Sequence, residues 1–142
     1  MIILDSNVVS ALMYDTPDVK VLHWLDSQDA ETLWITTVTI FEIRYGLELM
    51  AKGRKRTRLE DSFGFILDTG FRDRVHHLDA EAASEAARLA AKRDREGRPA
   101  GLQDTLIAGV ALSRHAGIAT RNTRHFEDLP ISVVNPWTAE GA

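Results

Sequence analysis

The chain has 142 residues, 44% hydrophobic and 27% charged, which is enough to bury a proper core and leaves no sign of disorder or low complexity. Cysteine is absent, which excludes disulfides and thiolate metal sites and fits a reducing compartment, with the cytoplasm the default expectation. No apolar run approaches the roughly 20 residues of a membrane span, and a net charge of −4 does not advertise nucleic acid, although five basic residues fall between Lys52 and Arg58.

Met1-Ile2-Ile3-Leu4-Asp5-Ser6-Asn7 opens the chain as a strand buried on both faces that runs straight into a carboxylate. There is no charged leader or long apolar region, so no signal peptide is expected. Asp5, Ser6 and Asn7 are good helix caps, and helical patterning follows from Ser6 to about Tyr14. Pro17 restarts a helix whose stripe of Val21, Leu22, Trp24 and Leu25 reads as core, or as a face on which a partner helix docks. Leu33 to Thr36 reads as a second strand, and Thr37 or Thr39 as the cap of a helix through about Met50. Gly53 breaks that helix, and another is expected from Thr57 to Leu67. A third strand over Arg74 to Leu78 leads to Asp79, the cap of an alanine-rich helix from Ala80 to Arg95 that Gly97 and Pro99 end. The next helix spans Ala100 to Ala116, with Gly117 as its C′ residue, and strands follow at Ile118 to Thr120 and Ile131 to Val134. The tail from Trp137 reads as a surface strap. Strands alternating with helices predict one α/β domain over residues 1–142, a three-layer α/β/α arrangement around a parallel sheet of about five strands.

In such a sheet, ligands collect at the carboxyl ends of the strands. Asp5 ends the first strand, Glu42 lies early in the helix after the second, and Asp104 sits in a first helical turn with Ile107, Ala108 and Ala111 on its face. Asn122 follows the fourth strand. Each residue alone has a plain structural reading: a helix cap for Asp5, a capping box with Thr39 for Glu42, a dipole-matched acid for Asp104 and a turn residue for Asn122. Together they place acids from separate parts of the chain at one sheet edge, which is unfavourable without a positive partner. An all-oxygen set suits Mg²⁺ or Mn²⁺; with no Cys and no close His pair, zinc is not expected.

Ile2-Ile3-Leu4-Asp5-Ser6-Asn7-Val8-Val9-Ser10, Thr39-Ile40-Phe41-Glu42-Ile43-Arg44-Tyr45-Gly46, Gln103-Asp104-Thr105-Leu106-Ile107-Ala108, Thr120-Arg121-Asn122-Thr123-Arg124-His125-Phe126 and Val134-Asn135-Pro136-Trp137 occur in that order. In this pattern the chain resembles the PIN-domain family, most closely the VapC-type toxins and their FitB-like branch, over essentially its whole length. The resemblance implies a metal-dependent endoribonuclease of a type II toxin–antitoxin system. Asp5, Glu42 and Asp104 would hold Mg²⁺ or Mn²⁺, and Asn122 would complete the catalytic set. Ser6 and Asn7 would orient Asp5, while Arg44, Arg121 and Arg124 would contact RNA. Water would attack phosphorus in line and leave a 5′-phosphate and a 3′-hydroxyl. A cognate VapB-like antitoxin and a homodimer are the implied partners, and no membrane is involved. One departure stands out: His125 occupies a position where the family usually has Asp, and it reads either as a phosphate contact or as a surface histidine.

Two enzyme alternatives fit less well. A haloacid-dehalogenase-type phosphatase wants Asp where Asn7 stands, and a response-regulator receiver wants a late-strand lysine, whereas no lysine follows Lys92. The remaining alternative is a catalytically weak PIN-like module that binds RNA or serves as a scaffold.

Overall fold

The computed structural model describes residues 1–98 and 100–139; Pro99, expected to stop the alanine-rich helix, lies outside them, as do residues 140–142. Five short strands, β1 (Ile2–Leu4), β2 (Leu33–Thr36), β3 (Val75–His76), β4 (Gly117–Ala119) and β5 (Val133–Val134), form one parallel sheet in the order β3-β2-β1-β4-β5. The order runs outward from β1 in both directions, so the chain reverses its winding between β1 and β4. That is the switch point at which open α/β sheets form a crevice. Leu4 pairs with Ala119 across this point, so Asp5 and Thr120, each one residue further on, leave the sheet side by side.

Among the described residues, six α-helices cover the sheet: α1 (Ser6–Ala11), α2 (Val19–Asp26), α3 (Thr37–Leu49), α4 (Arg54–Phe65), α5 (Ala80–Arg95) and α6 (Leu102–Arg114). The period of two along β1 sends Leu4 into a core with α1 to α4, and Ile3 into a second core with α5 and α6. Both residues are fully buried, which explains the unbroken apolar run that opens the chain. Val21 and Trp24 lie in the first core with Leu25 partly buried against it, so much of the α2 stripe is core, while Leu22 is half-buried in a surface groove. α5 and α6 pack through small residues. A Cβ on Gly109 would lie 2.5 Å from the Ala82 carbonyl oxygen and 2.6 Å from the Ala86 Cβ, so no larger side chain fits between these helices.

Several element ends differ from expectation, each for a local reason. The cap of α3 is Thr36, the last residue of β2, whose Oγ1 accepts from the Thr39 N–H at 3.1 Å. α1 stops at Ala11, and Tyr14 belongs to the loop that follows. α6 stops at Arg114 because His115 turns left-handed (φ 53°), and Gly117 is the first residue of β4 instead of a C′ glycine. α4 starts at Arg54, so most of the basic run lies in its first turns and not beyond a helix end. Arg56 still serves the C-terminus of α3: its guanidinium donates to the Met50 carbonyl at 3.3 Å and pairs with Glu48 and Glu60.

Candidate active site

Asp5 is fixed from several directions. Its backbone N–H donates to the Ala119 carbonyl at 2.9 Å, continuing the β1–β4 ladder by one bond. Its Oδ1 accepts from the Ser6 N–H at 2.8 Å, as an N-cap does. Its Oδ2 accepts from the Thr120 hydroxyl at 2.7 Å and from the Asn7 amide at 3.4 Å. The helix-cap and site readings of Asp5 therefore both hold, one through each oxygen. Burial raises its pKa above the ordinary carboxylate value, with a smaller push from Asp104, against the lowering effect of the hydrogen bonds.

Glu42 faces the same point from α3. Its Oε2 accepts from the Ser6 hydroxyl at 3.4 Å, while its buried Oε1 has no hydrogen-bond partner among the described residues. A capping box is excluded, because Thr39 is not the cap. Desolvation first, and then the Asp5 and Asp104 carboxylates, push Glu42 from 4.5 up to about 7. Asp104 stands in the first turn of α6, and its Oδ2 lies 2.6 Å from His125 Nδ1. The position where the family usually has Asp thus carries an exposed imidazole set against one of the acids. It is a surface histidine and a member of the site together.

Asn122 follows Thr120, and its backbone N–H donates to the Thr120 hydroxyl at 3.0 Å. One cavity of about 710 Å³ is lined by Asp5, Glu42, Asp104, Asn122 and Arg121 among others. The sequence-predicted acids and Asn122 therefore share a cleft at the switch point, with Ser6 and Asn7 beside them. Of the three arginines expected to meet RNA, only Arg121 lines it. Arg44 comes two residues after Glu42, about 200° further round the helix, and its guanidinium stacks over the Phe63 ring of α4, 4.9 Å from the centroid. Arg124 is exposed outside the cavity lining, and its carbonyl accepts from Arg98 at 3.3 Å.

Sequence reasoning missed three contributors. Thr120 joins Asp5, Asn7 and Asn122 through one hydroxyl; its place opposite Asp5 follows once β1 and β4 are known to be neighbours. Arg93, 2% exposed, forks onto Asp128 at 2.9 and 2.8 Å, donates to the His125 carbonyl at 2.7 Å and to the Thr105 hydroxyl at 3.1 Å. It thereby fastens the His125 segment to α5 and α6. Trp137, read as part of a surface strap, lines the cavity and carries the Arg121 guanidinium 4.5 Å above its ring.

The donor set suits a hard divalent cation: oxygen ligands only, Asp5 and Glu42 held above their ordinary pKa, and one buried oxygen without a partner among the described residues. Among the described residues, no three Asp, Glu or His side chains converge as a ready-made metal cage. Mg²⁺ does not require one, since it keeps several waters and is usually held by one or two carboxylates together with substrate phosphate.

A family model for the PIN domain matches residues 2–131. The chain is 37% identical to the plasmid stability protein StbB of Pseudomonas syringae pv. tomato, over 98% of this chain and 100% of that one. It is 36% identical to VapC ribonuclease Y4jK of Sinorhizobium fredii, over 96% and 98% of the two chains. Among solved structures, the crystal structure of FitAcB from Neisseria gonorrhoeae superposes with a TM-score of 0.84 at 29% identity, over 98% of this chain and 100% of that chain.

Proposed function

Since the chain belongs to the PIN-domain family, we propose that it is a VapC-type endoribonuclease, the toxin of a type II toxin–antitoxin pair, that hydrolyses RNA with Mg²⁺ or Mn²⁺ in the switch-point cleft. One observation carries the chemistry: Asp5, Glu42 and Asp104 line one cavity, and the Glu42 Oε1 is buried without a partner among the described residues. Acids gathered in one cleft repel one another, which the raised pKa of Glu42 records, and a cation bound there would relieve that repulsion. Asp5, Asp104 and Glu42 would hold it. Bound there, the cation would supply Lewis acidity, lowering the pKa of water and offsetting phosphate charge.

The chain's own residues do the rest. Ser6, Asn7 and Thr120 keep Asp5 in one orientation, as outer partners of ligating carboxylates do. Glu42 adds a third carboxylate to the cleft lining, its Oε2 accepting from the Ser6 hydroxyl. Asn122 offers an uncharged amide to the cleft, and Arg121 a cation for phosphate. A cognate VapB-like antitoxin is the partner that holds the activity in check, the protein acts in the cytoplasm, and it assembles as a homodimer. In support, the fold's neighbours among solved structures include FitAcB and a DNA-bound VapBC from Salmonella typhimurium, and no helix among the described residues is long and apolar enough to cross a membrane.

The test is cleavage of a structured RNA by the purified protein. Activity is expected with Mn²⁺ or Mg²⁺, and none with chelator or in Asp104→Asn. Cleavage that persists in both Asp5→Asn and Asp104→Asn overturns the site. In cells, expression alone should slow growth, and Asp5→Asn should not. Equal growth under both favours the weak RNA-binding module.

A further inference from the structure

The cleft is a poor place for a polyanion. Asp5, Asp18, Glu42 and Asp104 line it against one lining cation, Arg121. One divalent ion offsets two of those charges, so phosphate contacts alone do not draw RNA in. The rest of the lining has a different chemistry. Tyr14 stands on the loop after α1 and is 55% exposed although it is aromatic. Trp137 backs the Arg121 guanidinium at 4.5 Å, which leaves Arg121 as a flat, charged plate over a ring.

We propose that Tyr14 and the Arg121–Trp137 pair form a base-stacking subsite that takes an unpaired nucleotide of RNA beside the acidic centre. Only the identity of the polymer as RNA rests on the ribonuclease reading. Aromatic rings and guanidinium planes stack on any base, but only on one that has left a helix, because the faces of a paired base are already covered by its neighbours. The cavity, about 710 Å³, has the volume of a small-molecule pocket and holds a nucleotide-sized group. The subsite is also built onto the acids. The Arg121 N–H donates to Asn7 Oδ1 at 3.2 Å, and the Asn7 amide in turn reaches Asp5 Oδ2 at 3.4 Å. The Arg121 backbone is therefore tied to the frame that orients Asp5, and its side chain lines the same cavity as the acids.

The experiment measures binding first, so that it does not depend on turnover. A fluorescein-labelled single-stranded RNA of about twelve nucleotides, alone or annealed to its complement, is titrated onto full-length Asp104→Asn protein and followed by anisotropy. The single strand should bind at least tenfold tighter than the duplex. Tyr14→Ala should weaken it roughly 5- to 150-fold, and Tyr14→Phe should restore it. With cleaving protein, the same Tyr14→Ala change should raise KM and leave kcat nearly unchanged. Because Tyr14 is exposed, its replacement spares the fold. Equal affinity for strand and duplex, or unchanged binding in Tyr14→Ala, overturns the subsite even if RNA is cleaved. Binding that depends on Tyr14 in a protein that cleaves nothing supports the subsite and removes the ribonuclease reading.

Discussion

The β1–α1 junction and the segment from Thr120 to Asp128 both serve the cleft, yet they are held by opposite means. Asp5, Ser6 and Asn7 are placed by the end of a strand and the start of a helix, within three consecutive residues. Asp5 forms no ion pair among the described residues, and burial raises its pKa and that of its neighbour Glu42. The later segment carries only a short turn, Thr123–His125, and is fastened from outside by Arg93, which comes 35 residues before its partner Asp128. There the guanidinium lowers the Asp128 pKa. One region stores unfavourable electrostatics at the point of chemistry, and the other spends a buried, hydrogen-bonded ion pair on position alone. Substitutions in the two regions should therefore move stability in opposite directions.

The largest effect is expected at the clamp. Arg93→Met strands the Asp128 carboxylate, which is 13% exposed, and leaves the His125 carbonyl and the Thr105 hydroxyl without their donor. It should cost about 3–5 kcal/mol in urea unfolding, and Asp128→Leu on top should recover much of it. A loss below about 1 kcal/mol would show that the segment is held by something else. Glu42→Gln is the contrasting change. It should stabilise the metal-free protein by about 1 kcal/mol at pH 8 while lowering cleavage more than about 100-fold. A destabilised Glu42→Gln would mean that the glutamate contributes to folding and the contrast fails.

The two regions also carry opposite pH signatures. Glu42 has a folded pKa of about 7 against an ordinary 4.5, so its contribution is fully present below 4.5 and is lost as pH rises through 7. Asp5 moves in the same direction. The Asp128 pKa is lowered from 3.8, so its contribution is present above that value and is lost as pH falls through the depressed one. In chelator, Tm should therefore decline from pH 5 to pH 8, and Mn²⁺ should raise it more at pH 8 than at pH 5. A cation effect of equal size at both pH values would separate the metal from these carboxylates.

The same contrast explains what the sequence reveals. Asp5 is legible because its reasons are local: an apolar run sets the strand, and the next residue must leave it at the sheet edge. Glu42 follows from its place early in the helix after β2, and Asp104 from helical phase against Ile107, Ala108 and Ala111. Arg44 misleads because adjacency along a helix is not adjacency in space, and two residues turn it towards Phe63. Arg93 is invisible because a lone arginine in an alanine-rich helix reads as solvated, and only the folded chain brings Asp128 to it. Trp137 enters the cleft because β5 is only Val133–Val134, which returns the tail to the end of the sheet beside Arg121.

Thr120 is where the two regions meet, and the smallest expected effect tests whether they act as one. Its buried hydroxyl donates to Asp5 Oδ2 at 2.7 Å and accepts from the Asn122 N–H at 3.0 Å, so the carboxylate at the end of β1 and the backbone after β4 share one atom. Thr120→Val keeps the shape and removes that atom. It should cost about 1–2 kcal/mol, since the Asn122 N–H loses its acceptor, and Thr120→Ser should restore most of that. Removing the hydroxyl also takes away the strongest bond lowering the Asp5 pKa, so that pKa should rise further. In a cleavage assay kcat should fall while KM changes little, because Asp5 is misplaced and the Tyr14 and Arg121 surfaces are not. Wild-type kcat in Thr120→Val would mean that the two regions are joined by the sheet alone, and that the hydroxyl serves folding without serving the site.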